Sequence, residues 1–220
     1  PFVADAAMSV GQDGVTASGY ALAAIGYGGF ALHLAVSGRT LASDRRATRP
    51  FIAALLLSAA WAGMSLLSLY WNQESSAQLA RVADLGRYAM WFVFLLALFP
   101  QVGGTRFTRI LRWTASGCVA AAIFVTLADV LNLNLTALSR LSIAISLALP
   151  VFGLLTLEQL FRNLAEDSRW NAKPLCLGLA CVFIFDVYLF SEALLFSRFD
   201  ADALSVRGAI HALAIPLLFV

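Results

Sequence analysis

The sequence predicts an all-α, polytopic integral membrane protein: a bundle of seven transmembrane helices with its N-terminus outside. Three observations predict it. Of the 220 residues 60% are hydrophobic and only 13% charged, where a soluble domain is about half apolar and a quarter charged. The apolar residues fall in blocks of about 18 to 24, which at 1.5 Å per residue match a hydrocarbon core of roughly 30 Å. Arginine and lysine are also unevenly shared among the loops, as in proteins oriented by positive charge on the cytoplasmic side. The blocks leave too little polar sequence for a soluble domain. A net charge of +2 with scattered arginines excludes a nucleic-acid surface.

The first segment spans Val15 to Val36 and carries Gly26, Gly28 and Gly29, small residues that allow close helix approach. Residues 1–14 precede it as an extracytoplasmic tail without the basic region of a signal peptide, so the segment is expected to be retained. A basic loop with Arg39, Arg45, Arg46 and Arg49 ends at Pro50. The second segment runs from Phe51 to Trp71, contains Trp61, and ends in Tyr70 and Trp71 at an interfacial aromatic belt. A polar linker, Asn72 to Asp84, leads to the third segment, about Leu85 to Val102, which ends at Pro100 and Gly103-Gly104.

Arg106, Arg109 and Arg112 follow, and the fourth segment runs from Trp113 to about Leu133. A turn with Asn132, Asn134 and Arg140 opens the fifth, which reaches about Leu160 and is expected to kink at Pro150. The mixed-charge loop Phe161 to Lys173 precedes the sixth, Pro174 to Phe196. A polar turn with Asp200 and Asp202 leads to Arg207 and Gly208, which open a seventh run cut off at Val220. Residues 15–220 thus form one transmembrane domain with a truncated seventh helix. The 13 residues from Gly208 are too few to span a bilayer, so the parent chain is expected to continue beyond Val220.

Ten of the 15 basic residues lie in the loops after segments one, three and five, and five lie elsewhere. The odd loops are therefore expected to be cytoplasmic. Seven helices raise the question of retinal, which needs a lysine in the middle of the seventh helix. The single lysine, Lys173, sits at the mouth of the sixth, so no retinal is expected. Cys118, Cys176 and Cys181 lack metal-type spacing and read as small buried hydrophobes.

Ionisable residues inside apolar segments are candidates for function because lipid penalises them. Asp186 is the deepest, with Tyr188 close in sequence as a hydrogen-bond donor, and a sensing or coupling role is set against a carboxyl satisfied by a neighbouring helix. Glu158 and Arg162 are four residues apart on one helix face and read as an interfacial ion pair. Asp129 and Glu192 fall near the outer ends of their helices and reach toward headgroups. His211 titrates in the physiological range in principle, but as a lone histidine it reads first as a packed polar contact, as does His33. No phosphate-cradling loop, nucleophile set or metal motif is visible, so no catalytic residue and no cofactor is expected in this chain.

Leu157 to Val220 resembles the membrane domain of PrsK-type sensor histidine kinases, associated with the exosortase (PEP-CTERM) protein-sorting and exopolysaccharide system. The residues that carry the resemblance are Glu158 to Asn163, Arg169-Trp170, Lys173, Leu175 to Gly178, Phe185 to Leu189, Glu192 to Phe196, Arg207-Gly208, Ala212 to Ala214 and Pro216 to Leu218. The resemblance implies a multi-pass protein of the bacterial inner membrane, whose cytoplasmic GAF-like module and kinase core would follow this chain and whose kinase region would make it a homodimer. Its expected function is that of a membrane sensor or anchor of a two-component system. A small transporter or channel-like protein using intramembrane acids, and a structural subunit of a membrane complex, are the alternatives.

Overall fold

The computed structural model describes residues 2–37, 45–71, 74–99, 105–130, 136–164 and 166–218. These residues form seven helices: α1 (Phe2–Ser37), α2 (Arg45–Tyr70), α3 (Glu74–Leu98), α4 (Thr105–Val130), α5 (Thr136–Asn163), α6 (Glu166–Phe196) and α7 (Ala201–Leu218). No strand occurs among the described residues. Arg39, Pro100, Asn132, Asn134 and Val220, with the side chains of Arg45, Arg46, Arg106 and Asp129, lie outside the described residues.

A chain this apolar must satisfy its backbone polar groups within each segment, and a helix does so. Among the described residues, five helices contain stretches long and apolar enough to cross a membrane: Gly14–Ser37, Ala47–Tyr70, Arg140–Asn163, Arg169–Phe196 and Ala201–Leu218. This set marks the chain as membrane-embedded. α3 has 25 residues, but every stretch of it long enough to span carries Arg81, Asp84 and Arg87 together. Two of those charges, Asp84 and Arg87, build the site described below.

Several boundaries differ from those read in the sequence. α1 is helical from Phe2, so most of the tail is continuous with the first segment. The linker expected from Asn72 to Asp84 is mostly the opening turns of α3. Polarity suggested a loop there, whereas Asp84 turns its carboxylate into the bundle. Most of the expected loop from Phe161 to Lys173 is likewise helical, because α5 runs to Asn163 and α6 starts at Glu166. α5 passes through Pro150 without interruption.

The largest change concerns α7. It starts at Ala201 and has 18 residues, about 27 Å at 1.5 Å per residue, so the length argument that began at Gly208 does not apply. Arg207 is not at the mouth of the helix but nearly two turns inside it, where it is buried. Asp200 opens this helix, its side chain accepting a hydrogen bond from the Asp202 amide at 3.3 Å.

α1 and α2 pack antiparallel. Tyr20 of α1 meets Trp61 of α2 edge-on at 5.5 Å, and farther along Phe30 meets Phe51 at 5.7 Å. α7 returns to pack along α1, and these two run parallel. A Cβ added at Gly19 would fall 2.7 Å from the Ala209 nitrogen, and one at Gly208 would fall 2.6 Å from that of Tyr20. Only glycine allows the two backbones this close. Further along the same pair, Gly26 faces Ile215.

α3 packs against α2, α4 and α5 and sends side chains to α6 and α7, so it lies toward the middle. Trp91 and Phe94 of α3 pack around Phe51 at 5.9 and 4.7 Å. The buried Trp91 indole donates to Ser58 Oγ at 3.2 Å, and Ser58 in turn donates to the Ala54 carbonyl at 2.7 Å. Trp91 and Ser58 are thus satisfied locally, as burial requires.

Candidate functional site

Two carboxylates and two guanidiniums alternate in a closed ring where α3, α6 and α7 meet. Arg207 Nε donates to Asp186 Oδ1 at 2.8 Å, and Arg207 Nη2 donates to Asp84 Oδ2 at 3.0 Å. Arg87 mirrors it: Nε donates to Asp84 Oδ1 at 2.9 Å and Nη2 to Asp186 Oδ2 at 3.0 Å. Each arginine thus joins both aspartates. The planar guanidinium fork suits this double duty in a way that a lysine ammonium would not.

The helices set these positions by spacing. Asp84 and Arg87 are three residues apart on α3 and share a face, with Arg87 Nη2 also 2.6 Å from Asp84 Oδ1. Tyr88, the next residue, donates a hydrogen bond from its hydroxyl to Asp186 Oδ2. Arg207 and His211 are four residues apart on α7, so both side chains reach the same side. The side chains of Arg87 and Asp186 are 1% and 0% exposed, and those of Arg207 and Asp84 are 8% and 15%.

Burial at this depth demands neutrality. Isolated charges are strongly penalised in a low-dielectric interior, and breaking a buried pair leaves its partner uncompensated. Two negative and two positive groups cancel within the ring. Aromatic side chains enclose it. The Trp61 ring carries both guanidiniums, with Arg87 Cζ at 4.5 Å and Arg207 Cζ at 4.9 Å from its centroid. Arg87 also lies over Tyr88 at 4.6 Å, and Arg207 over Phe190 at 5.6 Å. Such contacts gain strength when the cation is desolvated.

His211 is fully buried beside the ring. Both of its ring nitrogens lie 3.2 Å from Arg87 Nη1, and Tyr27 OH is 3.4 Å from its Nδ1. Its Nε2 is 3.9 Å from Asp186 Oδ2, beyond a normal hydrogen bond. The imidazole packs on Trp61 with centroids 4.5 Å apart. Through Tyr27 and Trp61 the site therefore also engages α1 and α2.

A cavity of about 70 Å³ adjoins the ring on the α4–α5 side. Asp84, Tyr88, Thr126, Ser142 and Ser146 line it, with Arg81. The volume suits about two water-sized molecules, and the lining offers the polar partners such molecules need. Asp84, the most exposed of the four charged residues, is the ring member that faces it.

Of the residues singled out from sequence, the site brings together Asp186, in the ring, and His211, beside it. Tyr188 is not the donor expected for Asp186. It is 52% exposed, because two residues turn a helix by about 200° and carry the phenol to the opposite face. Tyr88 of α3 supplies that hydrogen bond. Tyr188 instead packs near Phe185 at 6.1 Å. Glu192 is half-buried, and its Oε2 is enclosed without a hydrogen-bond partner among the described residues. Glu158 and Arg162 pair at 3.2 Å on an exposed face, at the joined ends of α5 and α6. His33 is exposed on α1, and Cys181 is exposed rather than buried as sequence suggested. An apolar side chain facing lipid needs no burial within the protein.

Asp84, Arg87, Tyr88 and Arg207 went unselected in the sequence. Arg87 carried a usable signal, since an arginine two residues into an apolar segment needs a carboxylate partner. Arg207 and Asp84 were disguised by position, each sitting where an apolar run starts. Among the described residues no group of three or more His, Cys, Asp or Glu side chains could hold a metal ion. The chain matches no protein-family model, no curated protein and no solved structure.

Proposed function

We propose that this chain is the membrane-embedded sensor and anchoring domain of a two-component histidine kinase of the PrsK type, in the bacterial inner membrane. The observation that carries the reading is the double hold of the ring on α7. Arg207 and His211 tie this helix to charges on α3 and α6, so moving it means re-pairing buried charges. An element held by such pairing has discrete arrangements, which is what a switch requires. The resemblance to the kinases rests in part on the same residues: Asp186, Arg207 and Gly208 are among those that carry it.

On this reading all seven helices cross the membrane, with the N-terminus outside. The parallel packing of α1 and α7 fits seven alternating crossings. Of the five basic residues outside the odd loops, Arg87 and Arg207 are buried in the ring, so the contrast that sets orientation becomes ten against three. A cytoplasmic GAF-like module and kinase core would follow α7 and would form the homodimer. A transporter that moves protons on an intramembrane acid is disfavoured by Asp186 itself, since both its oxygens are taken up by arginines.

Reading the coding sequence past Val220 and assaying the full-length product for autophosphorylation on histidine tests the assignment. A kinase core and a labelled histidine are expected. A stop codon directly after Val220, or a different downstream domain, overturns it.

A further inference from the structure

At the joined ends of α5 and α6, away from the ring, a recess of about 600 Å³ opens between the two helices. Leu154, Phe161, Leu177 and Ala180 form its apolar walls, and only Glu158 and Lys173 bring charge to it. The volume lies within the range of ligand-binding sites. Glu158 is neutralised by Arg162 at 3.2 Å, which leaves the charge of Lys173. No carboxylate among the described residues pairs with that ammonium, which lies 5.0 Å over the exposed Trp170 ring. A lysine beside an exposed tryptophan at a helix end has the character of a membrane–water interface.

A second cation stands nearby. Arg169 donates to the carbonyls of Leu164 and Arg162 at 3.0 and 3.1 Å, contacts to neutral groups that leave its charge in place. Glu166, one turn earlier, is the exposed first residue of α6, where the helix dipole favours a carboxylate. An apolar slot with the ammonium of Lys173 at its mouth complements an anionic amphiphile of the bilayer. We propose that this recess is a binding site for an anionic phospholipid, with an acyl chain between α5 and α6 and the headgroup phosphate against Lys173. The proposal rests on the membrane reading and not on the kinase assignment.

The test uses the 220-residue chain reconstituted in vesicles of phosphatidylcholine and phosphatidylglycerol, then examined by native mass spectrometry for retained lipid. Preferential retention of phosphatidylglycerol is expected. Lys173→Gln should reduce the preference about fivefold, the effect of one cation near an anionic surface, and Lys173→Arg should keep it. Ala180→Phe, which fills the recess, should lower retention of both lipids while the circular dichroism spectrum stays helical. Equal retention of the two lipids by the wild type overturns the proposal. So does an undiminished preference in Lys173→Gln, or a recess occupied by a second copy of the chain, seen as a lipid-free dimer.

Discussion

Arg207 Nε sits 2.8 Å from Asp186 Oδ1, joining residues that are 21 apart in the chain and fixing α7 against α6. The same guanidinium reaches Asp84 on α3 at 3.0 Å, so the pair is one side of a four-membered charge ring and not an isolated bridge.

The ring predicts a specific pattern of mutational coupling. Asp186→Asn leaves two buried guanidiniums sharing one carboxylate, and Arg207→Gln leaves two carboxylates sharing one guanidinium. Each is expected to destabilise by roughly 3–5 kcal/mol, the cost of stranding a buried charge. The double variant restores neutrality and should be milder than the sum of the singles by about 1–3 kcal/mol. Unfolding of the four proteins in detergent measures this, and strict additivity would show that the ring is not held by charge compensation.

Trp61 predicts a separate effect. Its ring faces both guanidiniums and His211, so Trp61→Leu removes two cation–π contacts as well as volume. Desolvated contacts of this kind are worth about 2 kcal/mol. Trp61→Phe keeps an aromatic face and should recover part of the loss. Equal losses in the two variants would assign the whole effect to packing.

Much of the fold was legible because it follows from periodicities of length and polarity. Lipid-length apolar blocks gave the number of helices, since nothing else satisfies a backbone without water. Asp186 was legible as a buried acid for the same reason. Its partners were not, because they come from helices whose adjacency the sequence does not encode. Tyr88 and Tyr188 illustrate the limit: both are phenols, but only three-dimensional packing brings the one on α3 to the carboxylate. Arg207 and Asp84 were hidden by a rule that is sound on average, that charge at the edge of an apolar run marks a boundary. Compensated charge breaks that rule.

The contact of α1 with α7 predicts strong position dependence among the glycines. Gly208→Ala would place its Cβ 2.6 Å from the Tyr20 nitrogen, so the helices must separate, at a cost of about 1–3 kcal/mol. Gly63→Ala meets no atom within 4 Å and should be neutral or slightly stabilising through its gain in helix propensity. Thermal unfolding of the two variants separates close approach from propensity.

Ser197 ends α6 with a φ of 56°, a left-handed conformation that side chains resist and glycine accepts. Ser197→Gly is therefore expected to stabilise the protein by about 1 kcal/mol. Ser197→Val should do the opposite, because a β-branched side chain fits this region least. If both variants lower the unfolding temperature equally, the serine hydroxyl and not the backbone governs the turn.

Orientation gives the last prediction. Ser76 lies in the first turn of α3 and Lys173 in the second turn of α6. Chain direction places them at opposite ends of the bundle, since α3 starts after an even-numbered helix and α6 after an odd-numbered one. On the proposed orientation, which rests on the positive-inside asymmetry, the Ser76 end faces outside and the Lys173 end the cytoplasm. This assignment gains force from the burial of Arg87 and Arg207, which no longer count as loop charges once the ring holds them. With the three native cysteines replaced, Ser76→Cys should react with a membrane-impermeant maleimide in intact cells. Lys173→Cys should react only after the membrane is opened. The reverse pattern would invert the bundle and move the ring, with the cavity beside Asp84, from the outer half of the membrane to the inner.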